Sequence, residues 1–347
     1  MSNRTDMPES LLQPLVSAQN FANGSWSGVR WQDKVIQNCQ MSDCDMSLST
    51  LDNVCFVECD LRSASFEQAE LSGVSFVNCN LNSSLFNQAS LLSCTFTECQ
   101  MVHSHWQGSV LKRCMPCQCN MQHSHWQAAN ISETGLLECN FNKASFKGAR
   151  FFNFMLMKTD FASINIEQAG FEQGLLIECD FSHLDLSGHR FINCNFQGSN
   201  FTLTNFRRAK LNGCLFLNTH CEQTNFHLAD ASQCSFLGAL LNSVNFDNTQ
   251  LEASSFSNAT IQASHFFQCQ MQKSQWQKCH LSESTMRQCD IQYSDFSNSA
   301  WHGGVMDSLN MDYGNLHNLQ LCQVTQKNLS QKYCAQTDPL RLTAEAS

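Results

Sequence analysis

Written in rows of five from Phe21, the sequence places a large apolar side chain at the same point of almost every row as far as Leu321. The register never slips. Of the 61 positions in this phase only Pro116, Cys221 and Ala231 are not large and apolar, and the phase collects all six Trp and 23 of the 26 Phe. The off-phase Phe are Phe152, Phe154 and Phe267. A second phase, two residues earlier, is held mostly by Ala, Ser, Cys, Thr, Gly or Val, as in Cys59, Ala64, Ala69, Val74, Cys79 and Ser84, and as far as Leu321 it takes sixteen of the chain's 21 cysteines. One large and one small inward position in every five residues fits neither the two-residue period of a strand nor the 3.6-residue period of a helix. It requires a backbone that turns a corner every five residues, with small side chains where the chain bends toward the axis.

Units such as ASFEQ (64–68), AELSG (69–73), CNFQG (194–198), SNFTL (199–203) and AKLNG (209–213) carry this pattern. In them the sequence resembles the pentapeptide-repeat family, whose consensus is roughly A(D/N)LXX. The resemblance implies an all-β fold, a right-handed, quadrilateral parallel β-helix with four units per coil. At about 20 residues per coil and about 4.8 Å between coils, the repeat would form about 15 coils and a rod roughly 70 Å long.

Length alone, at about 150 residues per domain, suggests two or three domains, but the unbroken register argues for one solenoid over 21–321. Residues 1–20 are then an N-terminal cap. Asp6 at the N-cap, Pro8 in the first turn and Glu9 at N3 resemble a helix start, and Leu11, Leu12, Leu15 and Val16 give it an apolar face. The repeat dies at Gln326, so 322–347 are a C-terminal cap and tail, with Val324, Leu329 and Tyr333 in a short helix over the last coil.

Sorting the large positions by twenties assigns them to sides of the coil. Sides through 56, 76, 96 and through 66, 86 carry Phe, and those through 61, 81, 101 and 71, 91, 111 carry Leu or Met, which keeps core volume constant. Between 141 and 191 the assignment exchanges, and Phe154, Ile164, Leu184 and His189 break the small-residue rule. The exchange marks either a locally wider or twisted section, or a kink or apolar contact surface near Phe152 and Phe154.

No chemistry-bearing motif stands out for catalysis. A G-x-S-x-G elbow, a Walker loop, a dinucleotide glycine fingerprint and an HExxH helix are all missing from the sequence, and the chain reads as a non-enzyme that needs no cofactor. Cys114, Cys117 and Cys119 spell CxxCxC, but the first and last fall in the small inward phase and read as buried apolar residues. HSHWQ occurs at 103–107 and again at 123–127. This stacks His103 on His123 and His105 on His125 in outward positions, as candidate metal ligands or as a simple ladder of like side chains.

With 20 Lys plus Arg against 30 Asp plus Glu, and only 14% of residues charged, the chain is neither a disordered polyanion nor a basic nucleic-acid binder. Its start has no basic stretch followed by an apolar run, and no apolar stretch is long enough to span a membrane. The expected compartment is a reducing bacterial cytoplasm. The charges are sorted: Glu58, Asp60, Glu98, Glu138, Asp160, Glu178 and Asp180 fall on one edge of the coils, and Lys147, Arg150, Arg190, Arg207, Arg208 and Lys210 on another. Each edge is a candidate docking site for a charged protein partner.

The resemblance also implies possible roles. Some family members mimic DNA and bind type II topoisomerases, but 70 Å of duplex would bear about 40 charges, against a net charge of -10 here. The reading preferred from sequence is a non-enzymatic scaffold for protein–protein interaction, since the outward positions are mostly Asn, Gln, Ser and Thr. Its Cys-, Trp- and Gln-rich texture is similar to family members associated with bacterial type VI secretion, where an adaptor role fits. Tyr293, Tyr313 and Tyr333, spaced by twenty, should ladder outward, either under the C-terminal cap, the preferred placement, or in an end-to-end or side-on homodimer.

Overall fold

The computed structural model describes residues 8–345 and shows an all-parallel β-solenoid of about 16 turns. The chain falls into two compact units, Met1–Gly170 and Phe171–Ser347, built on one coil design.

That design follows from where the backbone N–H groups go. In Asn225–Ala229, the N–H of Asn225 donates to Thr204 O (2.9 Å) in the preceding coil, while those of Phe226 and Leu228 donate to Asn245 O (2.7 Å) and Asp247 O (3.2 Å) in the next. Ala229 N–H closes the corner on Phe226 O at 2.9 Å. The fifth, of His227, is taken by Oδ1 of Asn225 at 3.0 Å. All five donors of the unit are satisfied. An Asn or Asp just before the inward apolar residue completes the set, and Asn195, Asn200, Asn205 and Asp230 act in the same way.

The corner itself is made by the residue after next, Leu228 here, in the left-handed region at φ 60. With the exception of Gly304, every positive-φ residue among those described falls at this corner position, and none is Val, Ile or Thr. Branching at Cβ would crowd the carbonyl in that conformation.

Inside, like rings stack on like. Phe56 lies over Phe76 (5.0 Å between centroids, 5° between planes) and Phe66 over Phe86 (4.8 Å, 6°), while the two columns meet edge to face, as at Phe56 and Phe66 (81°). The second unit repeats this with Phe226 over Phe246 and Phe236 over Phe256. In the small inward phase, many of the Cys, Ser and Thr side chains donate to a carbonyl one coil back. Cys59 Sγ sits 3.3 Å from Ile36 O, and Ser264 Oγ donates to Leu241 O at 2.9 Å. Cysteine is there as a small residue with a weak donor.

The ends depart from the sequence expectation. Coil pairing starts before residue 21, with Leu15–Ser17 parallel to Val35–Gln37 and Leu11 and Val16 already buried. Glu9–Leu12 is a 3-10 turn with Pro8 at its N-cap and no side-chain cap bond; Asp6 lies outside the described residues. Pro14 disfavours helix at Gln13, so no α-helix propagates. At the other end Val305–Asp307 pairs with Thr325–Lys327, and Asn315 bridges Ala335. Val324, Leu329 and Tyr333 therefore belong to one more coil, not to a helix. Asn328 and Tyr333 take the corner conformation (φ 50 and 58), and exposed Gln326 in the inward phase gives that coil a polar end. The helix present is Pro339–Glu345, with no buried residue. These extra turns account for about 16 coils where the repeat alone implied about 15.

Candidate interaction surfaces

The seven acidic positions divide by chemistry. Glu58, Glu98 and Glu138 are corner residues of the first unit (φ 51, 54 and 51), two coils apart from each other, with side chains directed outward. Glu138 accepts from Gln118 Nε2 at 2.8 Å, whereas Glu58 and Glu98 make no ion pair among the described residues. The aspartates instead serve the backbone. Asp60 is held by Arg62 at 2.6 Å, whose guanidinium pulls its carboxyl below the usual range. Asp160 accepts from Ala162 N–H at 2.8 Å. In the second unit Glu178 is also a corner residue (φ 53), and Asp180 accepts from Ser182 N–H and Asn200 Nδ2.

The basic positions divide likewise. In the first unit Lys147 is paired with Glu167 at 2.9 Å, and Arg150 opens the strand Arg150–Phe152 on the surface. In the second, Arg190 faces Glu172 at 3.8 Å, while exposed Arg207, Arg208 and Lys210 make no ion pair among the described residues. This cluster is the free cationic patch that the sequence sorting pointed to.

The repeated His pairs stack as expected: His103 on His123 at 4.7 Å and 26°, His105 on His125 at 4.8 Å and 22°. Desolvation, then the charge of the neighbouring imidazoles, lowers the pKa of His123 and His125. Face-to-face rings direct their nitrogen lone pairs along roughly parallel planes, not toward one point. Among the described residues no group of three or more His, Cys, Asp or Glu is arranged to hold a metal ion. All 21 cysteines are free thiols; Cys114 and Cys119 are buried and Cys117 half-buried.

Phe152 and Phe154 part company. Phe154 is core, 3% exposed and 5.1 Å from the Phe151 ring, whereas Phe152 is 45% exposed. The tyrosines ladder as expected, Tyr293 on Tyr313 at 5.0 Å and Tyr313 on Tyr333 at 5.1 Å, but they are exposed (53, 49 and 78%) and not closed under a cap. The C-terminal helix passes elsewhere, where His317 Nε2 lies 3.4 Å from Glu345 Oε2.

Concave space is shallow. A hollow of about 620 Å³ beside the C-terminal helix, lined by Gln277, Lys278, Asn298 and Arg341, and one of about 380 Å³ beside Tyr293, lined by Gln250, Gln270 and Lys273, are both open to solvent. Among the described residues no helix is long and apolar enough to cross a membrane.

A surface that sequence sorting by charge missed is defined by its lack of charge. On one of the two strand sides of the first unit, the outward residues from Leu15 to Met155 and from Ser17 to Met157, taken every twenty, include no Asp, Glu, Lys, Arg or His. The signal was available in the same columns that revealed the edges.

Compared with known proteins, the sequence matches the family model for pentapeptide repeats, in eight copies over residues 35–68, 69–105, 175–213 and 204–235. No curated protein matches it. Solved structures similar to it include trypsin-treated QnrB1, a plasmid-mediated fluoroquinolone resistance protein (17% identity, 58% of this chain and 87% of that chain covered, TM-score 0.35). Another is HetL, a pentapeptide repeat protein involved in heterocyst differentiation regulation in the cyanobacterium Nostoc sp. strain PCC 7120 (18% identity, 68% and 88% covered, TM-score 0.25). A third is a pentapeptide repeat protein of the Arabidopsis thaliana thylakoid lumen (24% identity, 30% and 66% covered, TM-score 0.16).

Proposed function

We propose, from the premise that the chain belongs to the pentapeptide-repeat family, that it is a non-catalytic scaffold that binds proteins through its coil faces. The observation that carries this is the exact repetition of outward positions in hydrogen-bonded register, as in the bridges Asn205 to Asn225 and Asn225 to Asn245. Each face is thus a set of columns a partner can read over several coils, whereas the open hollows offer nothing that would desolvate a reacting group. The free cluster Arg207, Arg208 and Lys210 is one docking point, fitting an acidic partner surface. An accessory role beside a bacterial secretion machine is one setting for such a scaffold.

DNA mimicry is less well supported. The corner glutamates recur every two coils, about 9.6 Å, while duplex DNA carries one charge per about 1.7 Å. The test is affinity capture on the immobilised full chain at low and high salt, with mass spectrometry, beside a chain carrying Arg207→Glu, Arg208→Glu and Lys210→Glu. The expected result is a discrete protein, retained at low salt and lost by the triple variant. Retention that ignores both salt and the reversal would overturn the basic cluster as a docking point, and salt-sensitive recovery of type II topoisomerase would favour mimicry.

A further inference from the structure

The uncharged side of the first unit carries an inference that deepens the scaffold reading and rests on it. Its sheet comprises the strands Leu15–Ser17, Val35–Gln37, Cys55–Val57, Ser75–Val77, Thr95–Thr97 and Met115–Cys117, paired in parallel and in register. Cys117 bridges Leu137, and Gly135–Leu136 pairs with Met155–Leu156, so the side continues through Met157. Its middle residue on each strand points in and is buried, as with Phe56, Phe76 and Phe96. The two flanking residues point out, and many are apolar or Thr, including Val57, Val77, Thr97, Leu137 and Met157. Met115 is 53% exposed, and Leu137 leans over Gly135, within 3.7 Å of where a β-carbon would stand. An uncharged, Met-bearing surface of this extent, flanked by a column of glutamates, is of the kind that marks contact sites.

Its borders say what covers it. One border is the corner column with Glu58, Glu98 and Glu138, closed by Lys158. The other is the column with Asp33, Arg113 and Glu133, in which Arg113 lies 3.9 Å from Glu133 and Asp33 accepts from Asn53. One side of the surface is therefore acidic, and neither side offers a row of free cations. A second copy would bring its own acidic row without a complement. In size, eight strands at about 4.8 Å span about 34 Å, and three strand residues about 10 Å, which is the width of one α-helix and the length of about 22 helical residues.

We propose that this side of the first unit docks a basic amphipathic helix of about 20 residues, its apolar face on the Val, Thr, Leu and Met columns and its Lys or Arg residues beside Glu58, Glu98 and Glu138. The probe is a labelled synthetic 20-residue Leu–Lys amphipathic helix, titrated by fluorescence anisotropy into the full chain. Matched peptides replace Lys by Glu or Leu by Gln. The Leu–Lys peptide is expected to bind at least tenfold tighter than either. Val77→Lys or Thr97→Lys should weaken it tenfold or more, and Glu58→Gln with Glu98→Gln and Glu138→Gln should weaken it and flatten its salt dependence. If circular dichroism shows either lysine variant misfolded, Met115→Lys at the exposed site replaces it.

Equal binding of the Gln–Lys peptide, no binding of the Leu–Lys peptide, or an affinity within twofold after the surface substitutions would overturn the proposal. Reversal of Arg207, Arg208 and Lys210 should leave the peptide affinity unchanged. That arm separates the two readings, because it abolishes capture at the basic cluster without touching this surface.

Discussion

A β-carbon on Gly304, whose φ is 80°, would stand 2.0 Å from the carbonyl oxygen of Ser284 in the coil before it. The oxygen belongs to backbone and cannot swing aside. Gly304→Ala is therefore expected to destabilise the fold by about 2–4 kcal/mol, combining left-handed strain with a backbone shift. Its neighbour Gly303 has a similar φ of 70°, but there the obstructing atoms belong to the Glu283 side chain, which can rotate away. Gly303→Asn should cost less than about 1 kcal/mol. Equal denaturant midpoints for the two variants would show that the Ser284 carbonyl does not set the constraint.

The corner rule gives a second test. Gln88 holds φ 58 and Leu48 φ 57, both on the surface. Gln88→Ile should destabilise by about 1–2 kcal/mol although it touches no core atom, since Cβ branching opposes the left-handed conformation. Leu48→Asn should stabilise by a few tenths of a kcal/mol, because Asn tolerates that region. Thermal melting of the two variants reads both signs.

Much of this architecture was legible because the apolar phase is a direct image of the coil: each inward residue from Phe21 to Leu316 is one side of one turn. The ends were not, for two different reasons. Leu11 and Val16 continue the phase backward, and helix-like residues around them hid that signal. At the C-terminus Gln326 and Gln331 break the phase, yet the coil persists because its ladder is made by backbone, not by side chains. The corners were overlooked because their signature is an exclusion, no Val, Ile or Thr in the phase of Gln88 and Leu48, and a search for hydrophobic periodicity does not look for what a position refuses. The tyrosines were placed in the right column but under a cap that the C-terminal helix does not form.

Tryptophan in the core depends on its neighbours two residues back. Trp106 and Trp126 stack at 4.5 Å and 3°, and their indole N–H groups donate to Ser104 Oγ (2.9 Å) and Ser124 Oγ (2.7 Å). Ser124→Ala leaves a buried donor unmet and is expected to cost about 1–3 kcal/mol. Trp301 also has a serine two residues back, but Ser299 Oγ donates to Phe296 O at 2.6 Å and does not meet the indole, whose Nε1 is buried without a partner. Trp301→Phe should thus cost less than Trp126→Phe, which gives up a hydrogen bond as well as volume. Urea denaturation followed by the remaining tryptophan fluorescence would rank them; the reverse order would mean that packing volume alone governs these sites.

The buried thiols make stability fall in alkali. Burial pushes Cys44, Cys221 and Cys279 up to about 12, whereas in the unfolded chain a thiol ionises near about 8.5. Between these values the unfolded state releases a proton that the native state keeps. The unfolded state binds fewer protons, so stability declines as pH rises above about 9, by up to about 1.4 kcal/mol per pH unit for each such thiol. Below pH 8 both states hold the proton and the contribution is flat. Urea midpoints at pH 8 and pH 10 should therefore separate for the native sequence. Tyrosine and lysine also titrate in this range, so the decisive quantity is the difference from Cys221→Ser, whose loss between the two pH values should be smaller by about 1–2 kcal/mol. An identical loss in both proteins would mean that Cys221 ionises as readily in the folded chain as in the unfolded one, and that its coil opens to solvent well below the global unfolding transition.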